Sequence, residues 1–276
     1  MSKRRVKYIL ALLFTGAFFF TVNPKKTTAE TPLENPYGWE LLASFTTYFN
    51  EKDVGRCENI AIAASLIDGV TIQPYGEFSF NATVGKRTAE AGFKQAKIIQ
   101  NGEYVLGVGG GVCQVSTTLY NAALLSGLSV AEYHPHSLLV SYVDASRDAM
   151  VSTDNDLKLF NAHSHAVRLS AKAFNGYIRV RFYGKNEGDR YELNAKILAQ
   201  IPPPLPIIKE GEKEEILRAE KNGVKSELYI ERYKNGKLLS RKRVRKDEYR
   251  PVQGIIVKKV ADTTNKMARN ACVFLR

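Results

Sequence analysis

The stretch GVGGGVCQVSTTLYNAALLSG, residues 107–127, sets three consecutive glycines just ahead of Cys113, and Cys113 just ahead of residues with helical spacing. A thiol at a helix start faces unpaired backbone N–H groups and the positive end of the helix dipole, both of which favour thiolate. Gly109, Gly110 and Gly111 allow φ > 0 and a close approach of an extended peptide to the backbone. Such a thiolate attacks acyl carbons when a base and an orienting group stand beside it. The segment YHPHSLLVSYV supplies His134 and His136, which an extended chain turns to one side. Asp144 and Asp148 follow, and Arg147 offers a two-pronged contact to a carboxylate. The plain alternative is a small buried thiol behind a flexible turn. Nucleotide binding is excluded, because the Lys-Ser/Thr pair of a phosphate loop is missing.

All four histidines fall in two H-x-H pairs, His134/His136 and His163/His165. The first pair with Cys113 makes a zinc-dependent hydrolase an alternative reading. The second, in NAHSHAV, reads as turn residues on the surface. Neither a metal nor another cofactor is expected. The cysteines are Cys57, Cys113 and Cys272. An odd number excludes a fully paired disulfide framework, and Cys57 reads as packing at a helix start.

The elements that must position Cys113 follow from pattern. SFTTYFN (44–50) has strand residues, and RCENIAIAASLIDG places Ile60, Ala63, Ala64 and Ile67 on one helix face ahead of Gly69. Short strands are expected near 70–72 and 77–80, and a hairpin about Asn101-Gly102. A helix is expected from Cys113 to Ser126, with Val115, Leu119, Ala122 and Ala123 on one face. Then LSVAEYH, SLLVSYV, AMVS, LKLF, AVRLSAKAF and YIRVRFYG read as strands, the last two joined at Asn175-Gly176. The fold class is α+β: early helices packed on a mainly antiparallel sheet, followed by a small β-rich module. IPPPLP (201–206) breaks regular structure and marks an internal boundary.

The first thirty residues hold a basic cluster, an apolar run from Tyr8 to Val22 and a polar stretch, the pattern of an export signal. Fifteen residues reach about 22 Å as a helix, short of the roughly 30 Å hydrocarbon core. The segment is expected either as a cleaved signal peptide or as a single N-terminal membrane anchor, with the body outside the cytoplasm. The net charge of +12 is uneven: residues 31–206 hold 15 Lys/Arg against 17 Asp/Glu, whereas residues 207–260 hold 16 against 9. A basic module on an exported protein points to anionic wall polymers or lipid head groups rather than nucleic acid.

RCENIAIAASLIDG, GEFSFNATVGKRT, GGGVCQVSTTLYNAALLSGL, HPHSLLVSYV, RDAMV and DLKLFN, in this order, resemble the VanW domain family over residues 44–185. Residues 207–260 resemble a G-five module, without a clear full set of its glycines. The organisation expected is a signal or anchor at 1–30, a stalk at 31–43, the VanW-like domain at 44–185, a Pro-rich linker at 186–206, the β module at 207–260 and a disordered tail at 261–276. The resemblance implies a bacterial surface protein acting at peptidoglycan, and some VanW-domain proteins are cysteine L,D-transpeptidases. It makes Cys113 the nucleophile and His134 or His136 the base; beside them Asp148 is expected as the orienter and Arg147 as a carboxylate clamp. Gly109, Gly110, Gly111, Gln114 and Ser116 are expected in substrate binding, and the substrates would be wall stem peptides. The alternative is a non-catalytic peptidoglycan-binding or glycopeptide-resistance accessory protein.

Overall fold

The computed structural model describes residues 39–100 and 102–259. The expected export segment, most of the stalk, Asn101, and the tail with Cys272 lie outside the described residues. Strand β1 (Glu40–Tyr48) starts earlier than the pattern marks and leads into helix α1 (Val54–Ile67). Asp53 caps α1 by accepting the Arg56 N–H at 3.3 Å. Ile60, Ala63, Ala64 and Ile67 are all buried, as their spacing predicts. Strands β2 (Thr71–Ile72) and β3 (Glu77–Ser79), the short helix α2 (Phe80–Val84) and the hairpin β4 (Gln95–Gln100) and β5 (Glu103–Val108) come next. Helix α3 (Val112–Leu125) carries Cys113 in its first turn.

Four strands follow: β6 (Ser129–Glu132), β7 (Lys158–Phe160), β8 (Val167–Phe174) and β9 (Tyr177–Gly184). The main antiparallel sheet has the order β1-β9-β8-β2, with α1 and α3 packed on it. Alternation decides its inner face: Val167, Leu169 and Ala171 on β8 and Ile178, Val180 and Phe182 on β9 are buried, with their neighbours more open. A smaller sheet, β3-β7-β6, adds Phe78 and Leu159 to the same core.

Twelve of the fourteen residues of α3 are buried, so it is a central helix rather than one with a single apolar face. Its polar side chains replace a strand ladder for the segment beside it. The Thr117 hydroxyl accepts the Ala149 N–H at 2.9 Å, and the Ser116 hydroxyl donates to the Ala149 carbonyl at 2.6 Å. The expected strands SLLVSYV and AMVS are not formed; in AMVS the Ala149 backbone is bonded by α3 side chains instead.

The C-terminal part comprises β10 (Asp189–Ile201), β11 (Ile207–Gly211), β12 (Glu215–Arg218), β13 (Gly223–Lys234), β14 (Lys237–Tyr249) and β15 (Ile255–Lys259). β10-β13-β14 form one antiparallel sheet; in the other, β11-β15-β12, β11 and β15 run parallel. The expected linker at 186–206 is thereby corrected. Residues 189–201 are a long strand paired with β13, and only 186–188 and the Pro-rich stretch after Ile201 lie outside strands. The expected boundary also does not separate two cores. Leu228 of β13 is fully buried in the main core, with Leu193, Ile230 and Val244 packed against it. Val224 and Tyr249 enclose Ala145 in a second cluster.

Candidate active site

The glycine run is a tight turn with a separate physical reason at each end. Gly109 (φ +86) and Gly111 (φ +111) sit in the region glycine favours, and Gly111 is the N-cap of α3. At Gly110 a Cβ would lie 2.7 Å from the Lys97 carbonyl oxygen. Buried Asn59 on α1 fixes the turn by donating to the Gly110 and Lys94 carbonyls, both at 2.9 Å. The turn uses the Val112 and Gln114 N–H groups, at 3.1 and 2.9 Å to the carbonyls of Gly109 and Gly111.

Cys113 opens onto a cleft of about 970 Å³ that His136 also lines. Behind it, His136 Nδ1 and the His136 N–H each lie 2.7 Å from Asp148 Oδ2, leaving Nε2 as the ring nitrogen toward the thiol. Asp148 and His136 are 1% and 5% exposed. Burial pushes the Cys113 thiol up, but the hydrogen bond and charge of His136, the backbone hydrogen bond with Val151 and the charge of Arg87 together bring it below the ordinary cysteine value. Burial draws His136 down, and the hydrogen bonds to Asp148 and Cys113 push it up to about 9. Burial raises the Asp148 carboxyl, while the His136 hydrogen bond and charge, then Arg245, hold it below its usual range. The three groups form one coupled system whose charged state is thiolate, imidazolium and carboxylate.

The orienting carboxylate is itself held from β14. Tyr249 donates its hydroxyl hydrogen to Asp148 Oδ1 at 2.5 Å and accepts the Ser146 N–H at 2.8 Å. Arg245 donates to the Asp148 carbonyl at 2.5 Å and approaches Asp148 Oδ1 at 3.3 Å. Its guanidinium lies 4.5 Å from the Tyr133 ring centroid and is fixed by Asp247 at 2.7 Å. Ser146 carries a left-handed φ of +62, and the Ser226 hydroxyl at 2.8 Å joins Tyr249 in holding it. Arg245 and Tyr249 were not legible as site residues, since nothing local links a basic strand to a carboxylate about a hundred residues earlier.

The other expected residues separate. His134 does not face Cys113: its Nε2 is 3.0 Å from Glu132 Oε1, in a network with Lys158. The alternation argument fails because residues 133–136 are not in a strand. Gln114 lines the cleft, but its amide donates to the Thr47 hydroxyl and the Tyr48 carbonyl at 3.0 and 2.9 Å and accepts from Arg56 at 2.6 Å. Ser116 is fully buried on Ala149 and so is structural. Arg147 is not in the cleft. It bonds Asn121 at 2.8 Å, approaches Asp144 at 3.6 Å and lies over the Phe45 ring. Cys57 is a partly buried free thiol, raised by burial and by Asp53 and Glu51. His163 and His165 stack on each other at 4.9 Å, and His163 bonds the Ser126 carbonyl at 3.0 Å. Among the described residues no group of three or more His, Cys, Asp or Glu side chains is placed to hold a metal ion.

Two arginines in the cleft went unremarked in the sequence. Arg56 and Arg87 stand inside the blocks RCENIAIAASLIDG and GKRT, and both line the space in front of Cys113.

Residues 55–183 match the family model described as VanW like protein. A Bacillus subtilis (strain 168) protein described as "Uncharacterized protein YoaR" is 37% identical over 182 residues, which cover 62% of this chain and 59% of that protein. The chain thus spans under two thirds of the length of that relative. Two solved structures are similar to smaller parts. "IgA1 Protease G5 domain structure" is matched at 18% identity and a TM-score of 0.18, over 29% of this chain and 100% of that one. "Crystal structure of HP0197-G5" is matched at 17% identity and a TM-score of 0.14, over 25% and 97%. The glycine turn, Cys113, His136 and Asp148 all lie inside the residues that match this family model, so the candidate site falls within the VanW-like stretch.

Proposed function

We propose that the protein is an exported cell-wall enzyme, a cysteine acyltransferase of the L,D-transpeptidase type, with Cys113 as nucleophile, His136 as acid and base, and Asp148 as orienter. The observation that carries the reading is that Cys113 and His136 line one open cleft with Asp148 bonded behind His136, the thiol lowered and the imidazole raised.

Cys113 thiolate attacks the carbonyl between the third residue of a tetrapeptide stem and its terminal D-alanine. The C–S bond forms, and the electron pair moves to an oxyanion stabilised by the Cys113 N–H, which the turn at the start of α3 does not use. On collapse the C–N bond breaks, and the His136 imidazolium protonates the departing amine. The acyl group remains as a Cys113 thioester. A side-chain amine of a neighbouring stem, deprotonated by His136, attacks this thioester; the C–S bond breaks and a peptide cross-link forms. Water in place of that amine gives carboxypeptidase activity. Anchoring or secretion through residues 1–30 would place the site at the wall, and the basic residues of 207–260 would favour anionic polymers there.

The test is incubation of the full chain with purified muropeptides. Release of D-alanine and appearance of cross-linked dimers are expected, with both lost in Cys113→Ala and retained in Cys57→Ala. Equal product from Cys113→Ala and the wild type would refute the assignment.

A further inference from the structure

The cleft wall around the glycine turn is cationic, with more basic than acidic side chains lining it among the described residues. A Cβ on Gly109 would lie 3.1 Å from Arg87 Cβ, and one on Gly111 would lie 2.9 Å from Arg56 Cγ, so the two arginines flank the turn that presents Cys113. Lys86 and Lys97 line the same space, with Asp53 as the one carboxylate lining it among the described residues. Asp53 is engaged as the α1 cap.

The side-chain partners of both arginines are neutral. Arg87 donates to the Asn81 side-chain oxygen at 2.8 Å and the Gly85 carbonyl at 3.2 Å. Arg56 donates to Gln114 Oε1 at 2.6 Å. Neither forms an ion pair with a carboxylate among the described residues, in contrast to Arg232 with Asp189 or Arg245 with Asp247. Burial draws the Arg87 guanidinium below the ordinary arginine value, and the charges of Cys113 and Asp156 only oppose this. A half-buried guanidinium held by neutral acceptors keeps donors for a bidentate anion. Asn81 is itself fixed, donating to the Ser152 and Asn155 carbonyls at 3.0 Å, so Arg87 is braced rather than loose.

We infer that Arg87, with Arg56 across the glycine turn, forms a carboxylate subsite that binds the free C-terminal carboxylate of the peptide whose last amide bond Cys113 attacks. The inference rests on the acyl-transfer reading, because that chemistry makes a C-terminal amino acid the leaving group and puts its carboxylate a few atoms from the reacting carbon. The substrate class is then a peptide ending in an unblocked carboxylate, and an internal amide is a poor substrate. Arg147, the sequence's candidate for this task, is occupied elsewhere.

The test compares a tetrapeptide stem as its free acid and as its C-terminal carboxamide. Binding is measured by calorimetry on full-chain Cys113→Ala, which holds either peptide without turnover. The acid is expected to bind about tenfold or more tighter than the amide, as one charge-assisted bidentate contact allows. Arg87→Gln in the same background should bring the two within about threefold, and Arg87→Lys, which keeps charge without the fork, should fall between. Arg56→Gln supplies a second reading if Arg87→Gln does not fold, and should narrow the preference in the same direction. Equal binding of acid and amide, binding of neither, or an acid preference untouched by these changes overturns the subsite. Displacement of the acid by inorganic phosphate at equal concentration also overturns it, since the site would then be a general anion site. A parallel intact-mass reading on wild type separates the two ideas. An acid preference without acylation of Cys113 contradicts the acyl-transfer reading alone, and acylation by acid and amide at equal rates contradicts the subsite alone.

Discussion

At the residue scale, Cys113 and Cys57 are a matched contrast within one chain. Both lie in the first turn of a helix, where the dipole favours thiolate, yet their surroundings act in opposite directions. Asp53 and Glu51 push Cys57 up, whereas His136 and Arg87 pull Cys113 down against its burial. Iodoacetamide should therefore alkylate Cys113 at lower pH than Cys57, read by peptide mapping across a pH series. His136→Gln should raise the Cys113 midpoint and slow its alkylation at pH 7 by about tenfold or more, because the two largest contributions opposing burial are removed. An unchanged midpoint would mean that His136 does not activate the thiol. The signs for stability also differ. The raised His136 pKa stabilises the fold fully below its unfolded value and that contribution is lost as pH rises through about 9. The lowered Cys113 pKa contributes above its unfolded value and is lost as pH falls through the folded one. Cys113, one of the two candidate bases and the candidate orienter were legible from types and spacing. The choice of His136 over His134 was not, because it depends on Asp148 reaching back twelve residues in a segment with no regular period.

At the element scale, α3 and the strap after it explain why a thiol so near the core is still presented. The helix start is fixed by a turn that admits no side chain at Gly110, and Gly110→Ala should destabilise the protein by about 2 kcal/mol or more, measured by thermal unfolding, since backbone must shift. Ser116 and Thr117 hold Ala149 with their hydroxyls and so place Asp148. Helical and strand periods were readable for α1, α3, β8 and β9 because each buries one or both faces in a regular array. The stretch 133–157 was misread for the opposite reason: its apolar residues suit strands, but α3 side chains satisfy part of its backbone. On Asp148 itself, Tyr249→Phe removes a donor from a buried carboxylate and an acceptor from the Ser146 N–H. It should cost about 1–3 kcal/mol in stability, and turnover should fall more than substrate affinity. Wild-type turnover in Tyr249→Phe would show that the hydroxyl does not position Asp148.

At the scale of the whole molecule, the C-terminal sheet is part of the site's support rather than an independent appendage. The sequence marks a boundary at IPPPLP because proline ends regular structure there. It does not reveal that β13 and β14 return to the first domain with Leu228 in its core and Arg245 under its carboxylate. Removal of residues 202–276 should therefore expose the face that buries Leu228, lower the melting temperature and abolish the alkylation contrast between Cys113 and Cys57. A truncated chain that melts as the full chain does and keeps that contrast would show two independent units. The central claim, that Cys113 takes an acyl group under the control of His136 and Asp148, is tested most directly by intact mass and peptide mapping after brief incubation with a tetrapeptide stem. The account predicts a single adduct equal to the acyl tripeptide, on Cys113, absent in Cys113→Ala and formed at least about a hundredfold more slowly in His136→Ala. An adduct confined to Cys57 or Cys272, or one formed at wild-type rate in His136→Ala, would contradict it.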